Sequence, residues 1–164
     1  MRTIELVLLL VCGQFGQAMA SDSKADRDTL RGIKTIQVVV LDISADAIKD
    51  GLTVQQIRTD VELRLRKAGV VVVDDLPKSN RHLTIMAACV KRAYEGTSVY
   101  AYDVTVSFDQ PAITVSNNVL AVLSTWSVGS VGLAGSSNMS RFVRETIGNF
   151  VDEYINAYLS VNPK

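Results

Sequence analysis

GLTVQQIRTDVELRLRKAGVVVV, Gly51 to Val73, carries a helix with both ends marked and a strand directly behind it. Thr53 is placed to cap the first turn, Gln56 three residues on to reach back, and Leu52 to staple against Ile57. Val54, Ile57, Val61, Leu65 and Ala68 recur at steps of three and four, the spacing of one helical face. Arg58, Asp60, Glu62, Arg64, Arg66 and Lys67 take most of the remaining surface. Glu62 and Arg66 form a favourable i,i+4 pair, worth a few tenths of a kcal/mol at about the usual value. Gly69 closes the helix, because glycine adopts the left-handed conformation that satisfies terminal carbonyls. Upstream, Ile33 to Ile43 (IKTIQVVVLDI) is rich in β-branched residues and reads as a strand buried on both faces for much of its length; downstream, Val70 to Val73 is a short apolar run consistent with a buried strand. Strand, helix and strand at this spacing predict a right-handed parallel crossover.

The polar run DDLPKSNR, Asp74 to Arg81, makes a loop punctuated by Pro77. His82 to Val90 and Val99 to Asp109 follow as a hairpin joined through KRAYEGTS, with Gly96 in the turn. In the second of these strands Tyr100, Tyr102, Val104, Val106 and Phe108 alternate with small or polar residues, a period of two with one apolar face. A further antiparallel strand is expected between Val119 and Val128, with Pro111 and Asn117-Asn118 marking breaks before it. The last element is a helix from about Asn138 to Leu159. Its buried stripe is Val143, Ile147, Phe150, Val151, Tyr154 and Tyr158, and Asn162-Pro163 ends it. The expected fold is α/β: a mixed sheet in the order strand-helix-strand-strand-strand-strand-helix, with the helices packed on the sheet.

The chain opens MRTIELVLLLVCGQFGQAMA, in which Arg2, the apolar run Leu6 to Cys12 and the small-x-small pattern Ala18-Met19-Ala20 read as a signal peptide cut after Ala20. The apolar run falls far short of the ~20 residues a membrane-spanning helix needs, so no transmembrane anchor is expected after the cut. Cys12 as a lipidation site is the alternative, with Leu9-Leu10-Val11 placing a branched residue where a small one is expected. Residues 21–31 read as a polar, aperiodic, flexible leader and residues 32–164 as a single domain, periplasmic or secreted. Seventeen basic residues against seventeen acidic ones leave no long-range field to attract nucleic acid. Cys89, in the apolar run LTIMAACV, is the cysteine left after export, so no internal disulfide is expected and the thiol packs as a small hydrophobe.

TWSVGSVGLAGSS, Thr125 to Ser137, spaces Gly129, Gly132 and Gly135 at every third residue. Neither the P-loop nor the dinucleotide-binding spacing is met: no lysine follows, and the glycines come after the last strand. Two readings stay open. In one, Ser137 or Asn138 caps the final helix, and its first amides, with Arg141 and Arg144, receive an anionic partner. In the other, Arg141 pairs with Glu145 and the glycines form a strand-to-helix turn. His82 is the only histidine, too few for a catalytic triad or most zinc sites, and Asp74-Asp75 reads as a solvated pair. No metal and no cofactor are expected. Tyr94, Tyr100 and Tyr102 form either a recognition patch or ordinary sheet packing, and Trp126 either lines a cleft or joins the core.

GLTVQQIRTDVELRLRKAGVVV, YAYDVTVSFDQ, TWSVGSVG and FVDEYINAYLSVNPK together resemble an uncharacterised family of small exported bacterial proteins over nearly the whole mature chain. The strand order is distantly similar to the periplasmic α/β domains of curli-secretion lipoproteins, lipoprotein activators of penicillin-binding proteins and the amino-terminal domain of the Tol translocation protein. That resemblance implies a domain that binds or assembles with partners rather than one that catalyses. The expected function is therefore an exported, non-enzymatic domain binding a protein or an envelope component. A small periplasmic ligand-binding protein or hydrolase with a pocket built from distant residues is the alternative, and a self-assembling envelope subunit pairing through an exposed edge strand is a third.

Overall fold

The structure, a computed structural model, describes residues 19–74, 81–94 and 96–163. The Cys12 and signal-peptide readings, Asp75 and Pro77 lie outside the described residues. The crossover forms as its sequence dictates. β2 (Thr35–Val40) runs into a short helix α2 (Ala45–Lys49), then α3 (Val54–Lys67), then β3 (Val71–Val72), which pairs parallel with β2 through Thr35–Val71 and Ile36–Val72. Both halves of the Thr53/Gln56 capping box are made, and Ile57, Val61 and Leu65 are buried. β2 buries only alternate residues, Ile36, Val38 and Val40, while Thr35, Gln37 and Val39 are half-buried, so the reading of a strand buried on both faces is corrected. The reason is that helices cover one face of the sheet.

β4 (His82–Tyr94) pairs parallel with β2, and then β5 (Thr97–Thr114) and β6 (Val119–Gly135) follow antiparallel. With β1 (Met19–Ser21) on the outer side of β6, the sheet has six strands in the order β1-β6-β5-β4-β2-β3. The period of two in β5 is real: Tyr100, Val104, Val106 and Phe108 are fully buried. α4 (Ser136–Val161) is 26 residues long and lies against β5, β6 and α3. Its expected stripe is buried, and Tyr154 centres an aromatic cluster, stacked on Phe108 at 5.7 Å and edge-on to Trp126 at 5.3 Å. The architecture is α/β, a mixed sheet with helices packed against it.

Two expectations are overturned in detail. Residues 22–31 do not form a featureless leader: α1 (Lys24–Asp28) is closed by a capping box between Ser23 and Asp26, and Leu30 is fully buried. Asn162, at the end of α4, accepts from the Gly32 amide at 2.7 Å and donates to the Leu30 carbonyl at 2.9 Å. These partners come from the far end of the chain, so no local periodicity announces them. Pro111 is no break either. It lies inside β5, beyond the point where β4 ends opposite Asp109, where the outer side of the strand needs no amide donor.

Candidate functional site

β5 and β6 are long because they continue past the rest of the sheet. β4 reaches β5 only as far as Asp109, yet β5 and β6 stay paired from there to Thr114 and Val119, forming a two-stranded arm. At its root Thr125 is an extra residue in β6: Phe108 faces Trp126 while Asp109 faces Ser124, a bulge that re-aims the strand. Gln110 fastens the root, donating from Nε2 to the Thr29 carbonyl at 3.0 Å and to Thr125 Oγ1 at 2.9 Å. At the tip, Asn118 takes φ 54, the left-handed conformation that asparagine tolerates, and donates its amide to the Thr114 carbonyl at 2.9 Å.

The arm is apolar on both faces. Pro111 faces Val122 and Ile113 faces Leu120 on one side; Ala112 faces Ala121 and Thr114 faces Val119 on the other. Ile113 is 61% exposed, Leu120 68%, Val119 49% and Val122 47%, with Val115 at the tip wholly exposed. Between Asp109 and Arg141 the sequence contains no charged residue. An exposed apolar surface without charge is the signature of a contact made with something else.

The residues singled out by the glycine pattern are placed differently. Gly129 and Gly132 are inside β6, not in a loop, and Gly135 is the N-cap of α4, so the strand-to-helix glycine loop is corrected. A Cβ on Gly132 would sit 2.4 Å from the Tyr102 ring, and one on Gly129 would sit 2.9 Å from Thr105 Oγ1: these glycines let neighbours on β5 lie over the strand. Ser137 and Asn138 are in the first turn of α4 and do not cap it; no side chain does. Arg141 pairs with Glu145 at 3.2 Å, and Arg144 reaches across to Asp60 on α3 at 2.7 Å. Both guanidinium groups are thus ion-paired, Arg141 with the Glu145 partner that the second reading gives it. Arg144–Asp60, with Arg64–Asp152 at 2.6 Å, braces α3 against α4 along a shallow groove of about 1050 Å³.

No protein-family model matches the chain, and no curated protein does. Solved structures do resemble it. The PelC dodecamer of Paraburkholderia phytofirmans is similar over 88% of this chain and 97% of that one, at 16% identity and a TM-score of 0.43. A minor lipoprotein of Acinetobacter baumannii is similar over 80% of this chain and 95% of that one, at 10% identity and a TM-score of 0.40.

The aromatic candidates fall into the core. Trp126 is 1% exposed and lines no cleft; its indole N–H donates to Asp22. Tyr100 is fully buried and therefore not part of a recognition patch, while of Tyr94 only the backbone, at the end of β4, is described. The Tyr100 hydroxyl donates to Asp50 Oδ2 at 2.8 Å, and Lys91 Nζ holds the same oxygen at 2.8 Å, tying the end of α2 to β4 and β5. Burial pushes the Tyr100 phenol well up, and Asp50 adds to this; Lys91, with Tyr100, holds the Asp50 carboxyl below its ordinary value. His82 opens β4 opposite Asp109, whose carboxylate accepts from Thr84 Oγ1 at 2.6 Å. Cys89 is buried, and burial raises its thiol. Among the described residues no group of three or more His, Cys, Asp or Glu side chains is placed to hold a metal, and no helix is long and apolar enough to cross a membrane. Pro111 reads locally as a strand boundary and so hides the arm in the sequence; the uncharged run from Gln110 to Ser140 is the signal that reveals it.

Proposed function

We propose that this chain is an exported, non-enzymatic binding domain of the bacterial cell envelope, and that its contact surface is the arm formed by the ends of β5 and β6. The observation that carries the reading is a projecting hairpin whose Ile113, Val119, Leu120 and Val122 are exposed, with no charge anywhere along it. The body of the domain supplies a rigid base: α1, Gln110 and the Thr125 bulge hold the root of the arm, and the aromatic cluster around Tyr154 anchors the strands below it. Export by way of a leader removed after Ala20 belongs to the same reading, and amino-terminal sequencing of the mature protein tests it.

The test of the binding role is replacement of residues 110–123 by a two-residue Asn-Gly turn, a connection that suits two antiparallel strands. Crosslinking in intact cells followed by purification is expected to recover a discrete envelope partner with the native chain and to lose it with the shortened one. Equal recovery by both chains overturns the assignment of the arm, and recovery of no envelope partner by either overturns the binding role.

A further inference from the structure

We infer that the outer edge of β6 in the arm pairs antiparallel with the same edge of a second copy, centred on Ala121, so that two arms join about a twofold axis. This rests on the arm being the contact surface and names its occupant. β1 covers β6 only at Ser127, Val128 and Gly129, and with the leader removed after Ala20 only Ser21, opposite Ser127, remains of it; from there the chain turns into α1, leaving β6 from Val119 to Ser124 unpaired on its outer side among the described residues. An edge of this kind is normally blunted by charge or proline. β6 has neither, whereas β5 carries Pro111, which offers no amide to an incoming strand. The two edges of the arm are therefore unequal: a β6-to-β6 contact is open, and a β6-to-β5 contact, which would propagate into a fibre, is hindered.

Charge favours a second copy over an unrelated strand. Near a twofold axis every residue lies close to its own counterpart, so a single ionised side chain there would meet the same sign. Gln110 to Ser140 has none. The register also fits. With Ala121 facing Ala121 of the partner subunit, Leu120 lies beside Val122 of the partner subunit, and Val119 beside Leu123 of the partner subunit. All of these residues except Ala121 are between 39% and 68% exposed in the single chain. Five paired residues, Val119 to Leu123, span about 17 Å of strand. That is less than the roughly 800 Å² per partner of a standard interface, so the dimer is reversible, with dissociation on the order of micromolar to tens of micromolar.

Sedimentation equilibrium of the purified protein across this concentration range is expected to show monomer and dimer, with Val122→Lys weakening association at least tenfold. Val122 is on the surface, and circular dichroism checks that the variant stays folded. An Ala121→Cys variant is expected to form a disulfide-linked dimer under mild oxidation, faster than Leu133→Cys, which is exposed on the same strand but far from the inferred axis. A monomer at every concentration, or crosslinking at Ala121→Cys no faster than at Leu133→Cys, overturns the inference. If the protein is monomeric while envelope capture still needs residues 110–123, the binding role stands and the second copy falls; a dimer whose arm-deleted form keeps its envelope partner gives the reverse.

Discussion

Trp126 donates its indole N–H to Asp22 at 3.1 Å, across 104 residues of sequence, and so ties the last long strand to the segment that precedes the first buried one. Arg27 grips the same carboxylate, its Nε donating to the Oδ1 that Trp126 uses, at 2.8 Å, and its second guanidinium nitrogen to Oδ2. The indole ring is buried while the carboxylate is half-buried, so the bond closes the core where α1 meets β6.

Asp22→Ala is expected to leave the Trp126 N–H without its partner in a buried site, costing about 1–3 kcal/mol. Urea unfolding followed by the emission of this single tryptophan reads the loss directly. An unchanged midpoint would show that the Asp22–Trp126 bond contributes nothing to stability.

In acid, the carboxylates of Asp22, Asp28 and Asp50 set the direction. Asp22 is held below its ordinary value chiefly by Arg27, Asp28 by Lys24 and Arg31, and Asp50 by Lys91. A depressed folded value stabilises fully above the unfolded value of about 3.9 and loses that contribution as pH falls through the folded values. Stability is expected to decline below about pH 4. In a pH series of urea midpoints, Asp22→Ala flattens that decline; a series that is the same with and without Asp22 counts against its pairing.

Alkali acts through buried phenols. Burial raises Tyr100, with Asp50 adding to it, and raises Tyr154 and Tyr158. A raised folded value gives stability that is complete below the unfolded value of about 10 and is lost as pH climbs through the folded value. Ultraviolet titration is expected to show these three phenolates appearing together with unfolding rather than before it; smooth ionisation in the folded state would contradict their burial.

Gly132→Ala is expected to destabilise by about 1 kcal/mol, because its Cβ would overlap the Tyr102 ring and force it aside. In a Tyr102→Ala background the same change is expected to become neutral or stabilising, since glycine is a poor strand residue once nothing lies over it. A double-mutant cycle with no coupling rules out that packing.

Thr53→Ala is expected to cost about 1 kcal/mol through loss of the α3 cap. Hydrogen exchange in the first turn of α3 should accelerate with it; unchanged protection there would mean that tertiary packing alone holds the turn.

Much of the fold was legible wherever the controlling interaction lies within a few residues. The capping box of α3, its stripe at Ile57, Val61 and Leu65, the alternation of β5 and the buried face of α4 are all local, and periodicity reads them directly. The candidate site was less legible. Gly132 is a glycine because of Tyr102 on the neighbouring strand, and Arg144 is neutralised by Asp60, 84 residues away.

The sequence by itself determined the crossover, the antiparallel strands and the closing helix, since backbone hydrogen bonding and solvent exposure of one face impose periods that depend only on neighbouring residues. Only the tertiary structure decided that residues 22–31 join the core, that β6 runs through its glycines, and that Pro111 sits within an arm. Each of these depends on which distant strand or helix supplies the missing partner, and spacing along the chain carries no record of that.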